Sequence, residues 1–245
     1  QISRNRQLAS LIDNWQRRYP LGVTGTTPVA TDDWPYIYLK TKSIPILYFF
    51  LAGLLFLLLI RSMKQWNAID TFKRWRGTHW HFFFLGAAFM LLEVQSISKS
   101  SVVLGNTWLV NAVIISGVLV MILLANLMAA RFPRISLVPI YLAICGVCLT
   151  LYFVDLARFA SLPYFAKAII VGTSTTLPML FSGIVFIRSF ADVTRKDEAL
   201  GANLIGALVG GLLQSATFIT GIKALLLFVL VLYILAFLTK PRIMT

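Results

Sequence analysis

Glu93, Ser96 and Ser100 fall at i, i+3 and i+7 within the apolar stretch that begins at His81, and Gln95 flanks them. On a helix that spacing gives one polar stripe and one greasy face. A carboxylate about a dozen residues into an apolar run costs several kcal/mol in lipid, so it is expected to face protein. Such a group can relay a proton or hold a small polar or cationic solute. Asn111, Asn203 and Gln214 are the further polar groups that could converge with it near the bilayer midplane, beside a kink at Pro178. The plainer expectation is a protonated Glu93, hydrogen-bonded to Asn111 or to a serine, that serves only helix registration.

Three smaller constellations could also do chemistry. His79 and His81 bracket Trp80 at the entry to the same run, where histidines can ligate haem or a chlorophyll magnesium. An interfacial histidine without a cofactor is far commoner, and no cofactor is expected. Cys145 and Cys148 form C-G-V-C inside an apolar run, with no basic neighbour to lower a thiol pKa, which reads as packing rather than redox chemistry. Asp32 and Asp33 precede Trp34-Pro35. A pair of acids can bind a metal or an amine, but a turn or capping role is the usual one.

These residues must be positioned by membrane helices. Hydrophobic residues make up 58% of the chain and charged ones 13%, with a mean hydropathy of +0.82, which excludes a water-soluble domain. The expected architecture is all-α: a polytopic bundle of about seven transmembrane helices, at 44–60, 80–101, 107–130, 135–156, 163–190, 199–218 and 222–238, within a membrane domain covering 42–245. Residues 1–41 form a polar amino-terminal segment. In it Leu8, Leu11, Ile12 and Trp15 trace an amphipathic helix stopped before Pro20, and Gly22–Thr27 is loop-like. The chain begins on Gln1 rather than Met, so a processed product or a piece of something longer is expected. The pair at 80–101 and 107–130, broken around Gly105-Asn106, reads as a hairpin with a polar seam against which later helices pack.

Two other features concern packing. Thr173–Thr176 are hydroxyl-rich, and Pro178 frees the carbonyl of Ser174, so neighbouring hydroxyls are expected to satisfy it at a kink. Ala202, Gly206 and Gly210 recur every four residues, a small-xxx-small surface that lets another backbone approach closely.

The net charge of +13 does not point to nucleic acid, because the cations sit between apolar runs, where they suit lipid headgroups. With seven spans, six cations (Lys40, Lys42, Lys99, Arg158, Lys167, Lys223) lie on the amino-terminal side. Twelve lie on the other, beginning with the aromatic, basic connector 61–79, which places that connector in the cytoplasm. Adding Arg4, Arg6, Arg17 and Arg18 makes it ten against twelve, and the bias all but vanishes.

In order, the blocks TDDWPYIYL, LGAAFMLLEVQS, LGNTWLVNAVIISGVLVMILLANL, LPMLFSGIVFIRSF and ALGANLIGALVGGLLQ cover about Thr31 to Leu238. Together they resemble the carboxy-terminal half of bacterial spermidine synthase-like, or SAM-dependent-methyltransferase-like, membrane proteins. The resemblance implies a Rossmann-type domain upstream, with TDDWP marking its end and 1–31 its tail, and a bacterial cytoplasmic (inner) membrane location. Where that family typically has L-L-E-T-K-S, this chain has Leu91-Leu92-Glu93-Val94-Gln95-Ser96, and where an acid typically follows G-G-L-L it has Gln214. A family ion pathway would thus lack two of its charges here. Gly22-Val23-Thr24-Gly25 follows a helix-like segment and offers no βαβ unit, so SAM binding by the usual glycine-rich turn is not expected in this chain.

The function expected is a non-catalytic membrane domain. It would anchor or scaffold its own soluble half, or serve as an accessory subunit among other membrane proteins in the bilayer. The alternative is a transporter-like domain for a small polar or cationic solute centred on Glu93.

Overall fold

In the computed structural model, residues 6–19, 30–65, 75–105, 108–133 and 135–240 are described. The expected loop at Gly22–Thr27, the Gly22–Gly25 turn, Asn106 and residues 66–74 of the connector lie outside them. Every regular element among the described residues is helical: α1 (Arg6–Arg18), α2 (Ile46–Gln65), α3 (Gly77–Leu104), α4 (Trp108–Arg131), α5 (Leu137–Phe153), α6 (Tyr164–Ala191), α7 (Lys196–Leu213), a single turn α8 (Thr217–Thr220) and α9 (Ala224–Leu238).

The expected seven equivalent spans resolve into two classes. Four helical stretches are long and apolar enough to cross a membrane: Gly77–Leu104, Trp108–Arg131, Tyr164–Ala191 and Lys196–Thr220. Three apolar helices are shorter, namely Ile46–Ser62, Leu137–Phe153 and Ala224–Leu238. At 1.5 Å per residue the last two rise only about 26 and 22 Å, against a hydrocarbon core of about 30 Å. The reason lies at their ends. The apolar run at 135–156 includes Ile135, which lies outside the helix, and Ser136 and Val154, which are extended backbone, and Leu156 begins a separate 3-10 turn. Conversely α3 and α7 start three residues earlier than the hydropathy suggests, at Gly77 and Lys196.

α3 is the hub. It packs on α4, α6, α7 and α9, and its contact with α7 is the most extensive in the molecule. The small residues explain that contact. A Cβ on Gly206 would collide with the backbone carbonyl of Phe83, and one on Gly86 with that of Asn203, while one on Gly210 would lie 2.5 Å from Ala87 O. Ala202, Gly206 and Gly210 are all buried on this seam. α3 and α7 therefore run parallel with their backbones touching.

α3 and α4, the expected hairpin, do touch, but their mutual contact is a minor one. α4 packs chiefly on α6, with Gly117 against Thr176, Gly172 against Val113, and Gly183 against Ala125. α6 runs through Pro178 as one continuous helix. Its hydroxyls turn back earlier than expected: Thr175 Oγ1 donates to Val171 O (2.8 Å) and Thr176 Oγ1 to Gly172 O (2.8 Å), rather than to Ser174 O.

At the end of the bundle where α7 gives way to α9, the segment before α2 folds over the turn. Asp33 Oδ1 accepts from Lys223 N (2.6 Å) and Asp33 O from Ile222 N (2.8 Å), so this acid caps the start of α9. Gly221 sits at φ +90°, and a Cβ there would meet Asp33 Oδ2 at 2.6 Å. Trp34, buried, donates from Nε1 to Phe218 O (2.8 Å), and Tyr36 donates to Thr217 Oγ1 (2.6 Å). Burial raises the Tyr36 phenol, which keeps its proton on the donor. Of the adjacent acids, Asp33 thus takes the capping role in a plug, while Asp32 is exposed.

Candidate functional site

The polar stripe of α3 is split by the packing. Ser96 Oγ donates to Thr175 O (2.9 Å), and Ser100 Oγ lies 3.3 Å from Thr175 Oγ1. Because Thr175 already donates to Val171 O, Ser100 is the donor in that pair. Both serines are fully buried, in the α3–α6 contact. Glu93 lies elsewhere. It is half-buried and forms no hydrogen bond or ion pair with a described residue. Asn111, its expected partner, is exposed near the start of α4. Gln214 is half-buried where α7 tightens into a 3-10 turn, and its carbonyl accepts from Thr217 Oγ1 (2.8 Å). Asn203 is half-buried on the α3–α7 seam, with Nδ2 donating to Phe82 O (3.1 Å). The six polar residues therefore do not meet at one point.

Gln95 is the residue the sequence undervalued. It is fully buried, and neither amide atom has a hydrogen-bond partner among the described residues. Desolvating an amide without compensation is unfavourable. Gln95→Met, which keeps the length and drops the polarity, is therefore expected to stabilise the bundle by about 1 kcal/mol. A lower unfolding midpoint in detergent for this variant would show that the amide is paired in the working protein.

The histidines are spoken for by hydrogen bonds. His81 is fully buried, with Nδ1 2.6 Å from Ala236 O and Nε2 2.9 Å from Ser189 Oγ. A carbonyl only accepts, so Nδ1 carries the proton and the neutral ring accepts from Ser189 at Nε2. In this arrangement the Nε2 lone pair is taken up by Ser189 rather than offered to an iron or magnesium. His79 is equally engaged: Nδ1 accepts from Arg76 N (3.1 Å) and Nε2 faces Glu198 Oε2 (3.1 Å), while Arg195 holds the other carboxylate oxygen, Oε1, at 2.8 Å. Among the described residues no cluster of three or more His, Cys, Asp and Glu side chains could hold a metal ion.

Lys99 has a role that sorting cations by loop did not reveal. It is buried, and its Nζ donates to Leu151 O and to Val154 O (3.2 Å). These carbonyls belong to the end of α5, where helical carbonyls lack intrahelical partners and a cation is favoured. Cys145 and Cys148 on α5 are free thiols, one half-buried and one buried against the core, as packing residues would be.

The helices also enclose a cleft of about 380 Å³, within the usual range for small-molecule sites. Its floor is α3 and α6, including Phe89, Met90, Ser182 and Gly183. Its walls are α4, through Ile122 and Asn126, and α7, through Asn203 and Ala207. Because α4 and α7 do not pack on one another, the cleft opens on the flank of the bundle. Glu93 follows Phe89 and Met90 by one helical turn on α3. The cleft is overwhelmingly apolar, with Asn126, Ser182 and Asn203 as its polar points.

No family model, curated protein or solved structure matches this chain.

Proposed function

We propose that this chain is a non-catalytic, multi-pass domain of a bacterial inner membrane, acting as an anchor or scaffold and as an accessory subunit of a larger membrane assembly. The observation that carries this reading is α2. None of its described residues is buried, and only a narrow stripe through Tyr48, Ala52, Leu55, Leu59 and Ile60 is even half-covered by the rest of the chain. Large apolar side chains such as Phe49, Phe50 and Phe56 are 62%, 71% and 64% exposed around the remainder. A helix apolar on all sides and packed on almost none offers a long lateral surface in the bilayer.

In this reading all seven apolar helices cross. The shorter ones match the bilayer by local thinning and by interfacial anchors such as Lys223 and Lys240. The cation-rich end holding Arg131, Arg188, Arg195 and Lys196 faces the cytoplasm. The blocks resembling spermidine synthase-like membrane proteins supply a candidate for what is anchored, a soluble synthase-like domain upstream.

Solute transport is the second reading, favoured by one observation: Glu93 is half-buried and unpartnered beyond the cleft. It has lost Ser96 and Ser100, which are committed to Thr175, and Asn111, which faces outward.

A photocrosslinking residue placed at Phe50 or Phe56 in native membranes tests the proposal. A discrete protein adduct is expected there and none from Leu142 on α5, which is 68% exposed and serves as the lipid-facing control. Absence of any adduct from α2 would overturn the subunit reading, and solute uptake by proteoliposomes that Glu93→Gln abolishes would favour transport instead.

A further inference from the structure

We propose that the flank cleft and Glu93 form one binding site for an amphiphilic amine, with the apolar body of the ligand lodged between α4 and α7 and its ammonium group on the Glu93 carboxylate. The inference rests on the membrane placement of the bundle. It concerns binding alone and needs neither the scaffold nor the transport reading.

The first support is register along α3. On this helix the cleft is lined by Leu85, Gly86, Phe89 and Met90. Gly86, Phe89, Met90 and Glu93 stand at i, i+3, i+4 and i+7, so Glu93 continues the face that floors the cleft, one turn further along. α7 keeps pace with it. A Cβ on Gly211 would lie 4.0 Å from Met90 Cγ, and three residues on from that pair in these parallel helices come Glu93 and Gln214. The α7 wall is therefore polar at the level of the carboxylate.

The second support is the state of the carboxyl group. Glu93 lies a little past the middle of α3, is half-buried and has no hydrogen bond or ion pair with a described residue. The nearest cation in sequence, Lys99, is committed elsewhere: its Nζ donates to Leu151 O and Val154 O at the end of α5. A carboxylate at hydrocarbon depth is costly without a countercharge, so a cation that arrives there is favoured.

The third support is the approach. Exposed Leu123 and Leu127 on α4 and Leu204 and Leu208 on α7 mark flanks that face hydrocarbon, so the cleft is reached from the bilayer and its ligand must dissolve there. Phe89, Met90, Ile122, Phe186 and Ile187 supply apolar contact along the cleft. No Lys or Arg lines it, so a phosphate or carboxylate on the ligand would find no countercharge. A free alkylamine fits that balance of one acid and no base, whereas a zwitterionic phospholipid does not.

Native mass spectrometry of the detergent-purified chain, supplied with oleylamine and oleyl alcohol in equal amounts, tests this. The two share a tail and differ in charge. Oleylamine is expected to be retained several-fold over the alcohol. Glu93→Gln, which keeps the size of the side chain and removes its charge, should abolish the preference. Ala207→Leu, which fills the cleft from a lining position, should lower retention of both ligands several-fold. Equal retention of the amine and the alcohol by the unaltered protein overturns the proposal without relying on any variant. So does an amine preference that survives Glu93→Gln, or retention that a folded Ala207→Leu protein leaves unchanged. Displacement of oleylamine by ethylamine at equal concentration would leave the cleft no part in binding, and displacement by phosphatidylethanolamine would make the ligand a phospholipid; either result also overturns it.

Discussion

Gly206→Leu is expected to be among the most damaging single substitutions in the chain, lowering stability by about 3 kcal/mol or more. Overpacking usually costs about 1–3 kcal/mol because flexible neighbours give way. Here the obstacle is backbone: the new Cβ would overlap Phe83 O, with Phe83 C at 2.7 Å and Phe83 Cα at 2.9 Å. No rotamer of a neighbouring side chain relieves that, so α7 must lift off α3 along the whole seam. Gly206→Ala should already fail in the same direction, since it introduces the same Cβ. Gly201→Ala is the control: nothing lies within 4 Å of its Cβ, and relief of glycine's helix penalty should leave it neutral or slightly stabilised. Denaturation in mixed detergent reads all three. A Gly206→Leu protein that unfolds with the native midpoint would mean that α7 is not seated on α3.

That seam shows what one-dimensional information can and cannot carry. Ala202, Gly206 and Gly210 announced a close helix contact by their spacing alone, and the contact exists. Their partner was not announced, because the small block Gly86-Ala87-Ala88 on α3 lacks the four-residue repeat that marks a packing stripe. The stripe of Glu93, Ser96 and Ser100 likewise revealed a polar face but not which neighbour it meets. The neighbour sought was α4, through Asn111, since sequence-adjacent helices are the default pair. The structure instead seats α6 there, and Thr175 takes both serines. Periodicity fixes a face, whereas assignment of faces to partners is a property of the whole bundle.

Helix ends were hidden for a different reason. Hydropathy does not distinguish the last apolar helical turn from the apolar extended residues beyond it, so α5 was read as reaching Leu156 when it stops at Phe153. The carbonyls exposed by that stop are what Lys99 finds. A lysine near the end of a span reads equally well as an interfacial anchor, and nothing local to Lys99 signals a helix terminus fifty residues on. The plug formed by Asp33, Trp34 and Tyr36 was legible as turn chemistry, but its target, the start of α9, lies some 190 residues away in sequence.

His81→Leu is expected to cost about 1–3 kcal/mol, summing two interhelical hydrogen bonds of the size measured in membrane proteins with the desolvation of the groups left behind. The imidazole ties three helices: α3 through itself, α9 through Ala236 O and α6 through Ser189. Removing it strands a hydroxyl and a carbonyl in a buried site, whereas Ser189→Ala removes only one bond and leaves the Ala236 contact. The two losses share a partner, so they should not add. The double variant His81→Leu/Ser189→Ala is expected to be less destabilised than the sum of the singles by about 0.5–1.5 kcal/mol. Strict additivity in that cycle, read from unfolding midpoints in one detergent at one pH, would mean that the ring nitrogen and the serine do not bond. The lone pair on His81 Nε2 would then be free, and a ligand role for this histidine would return.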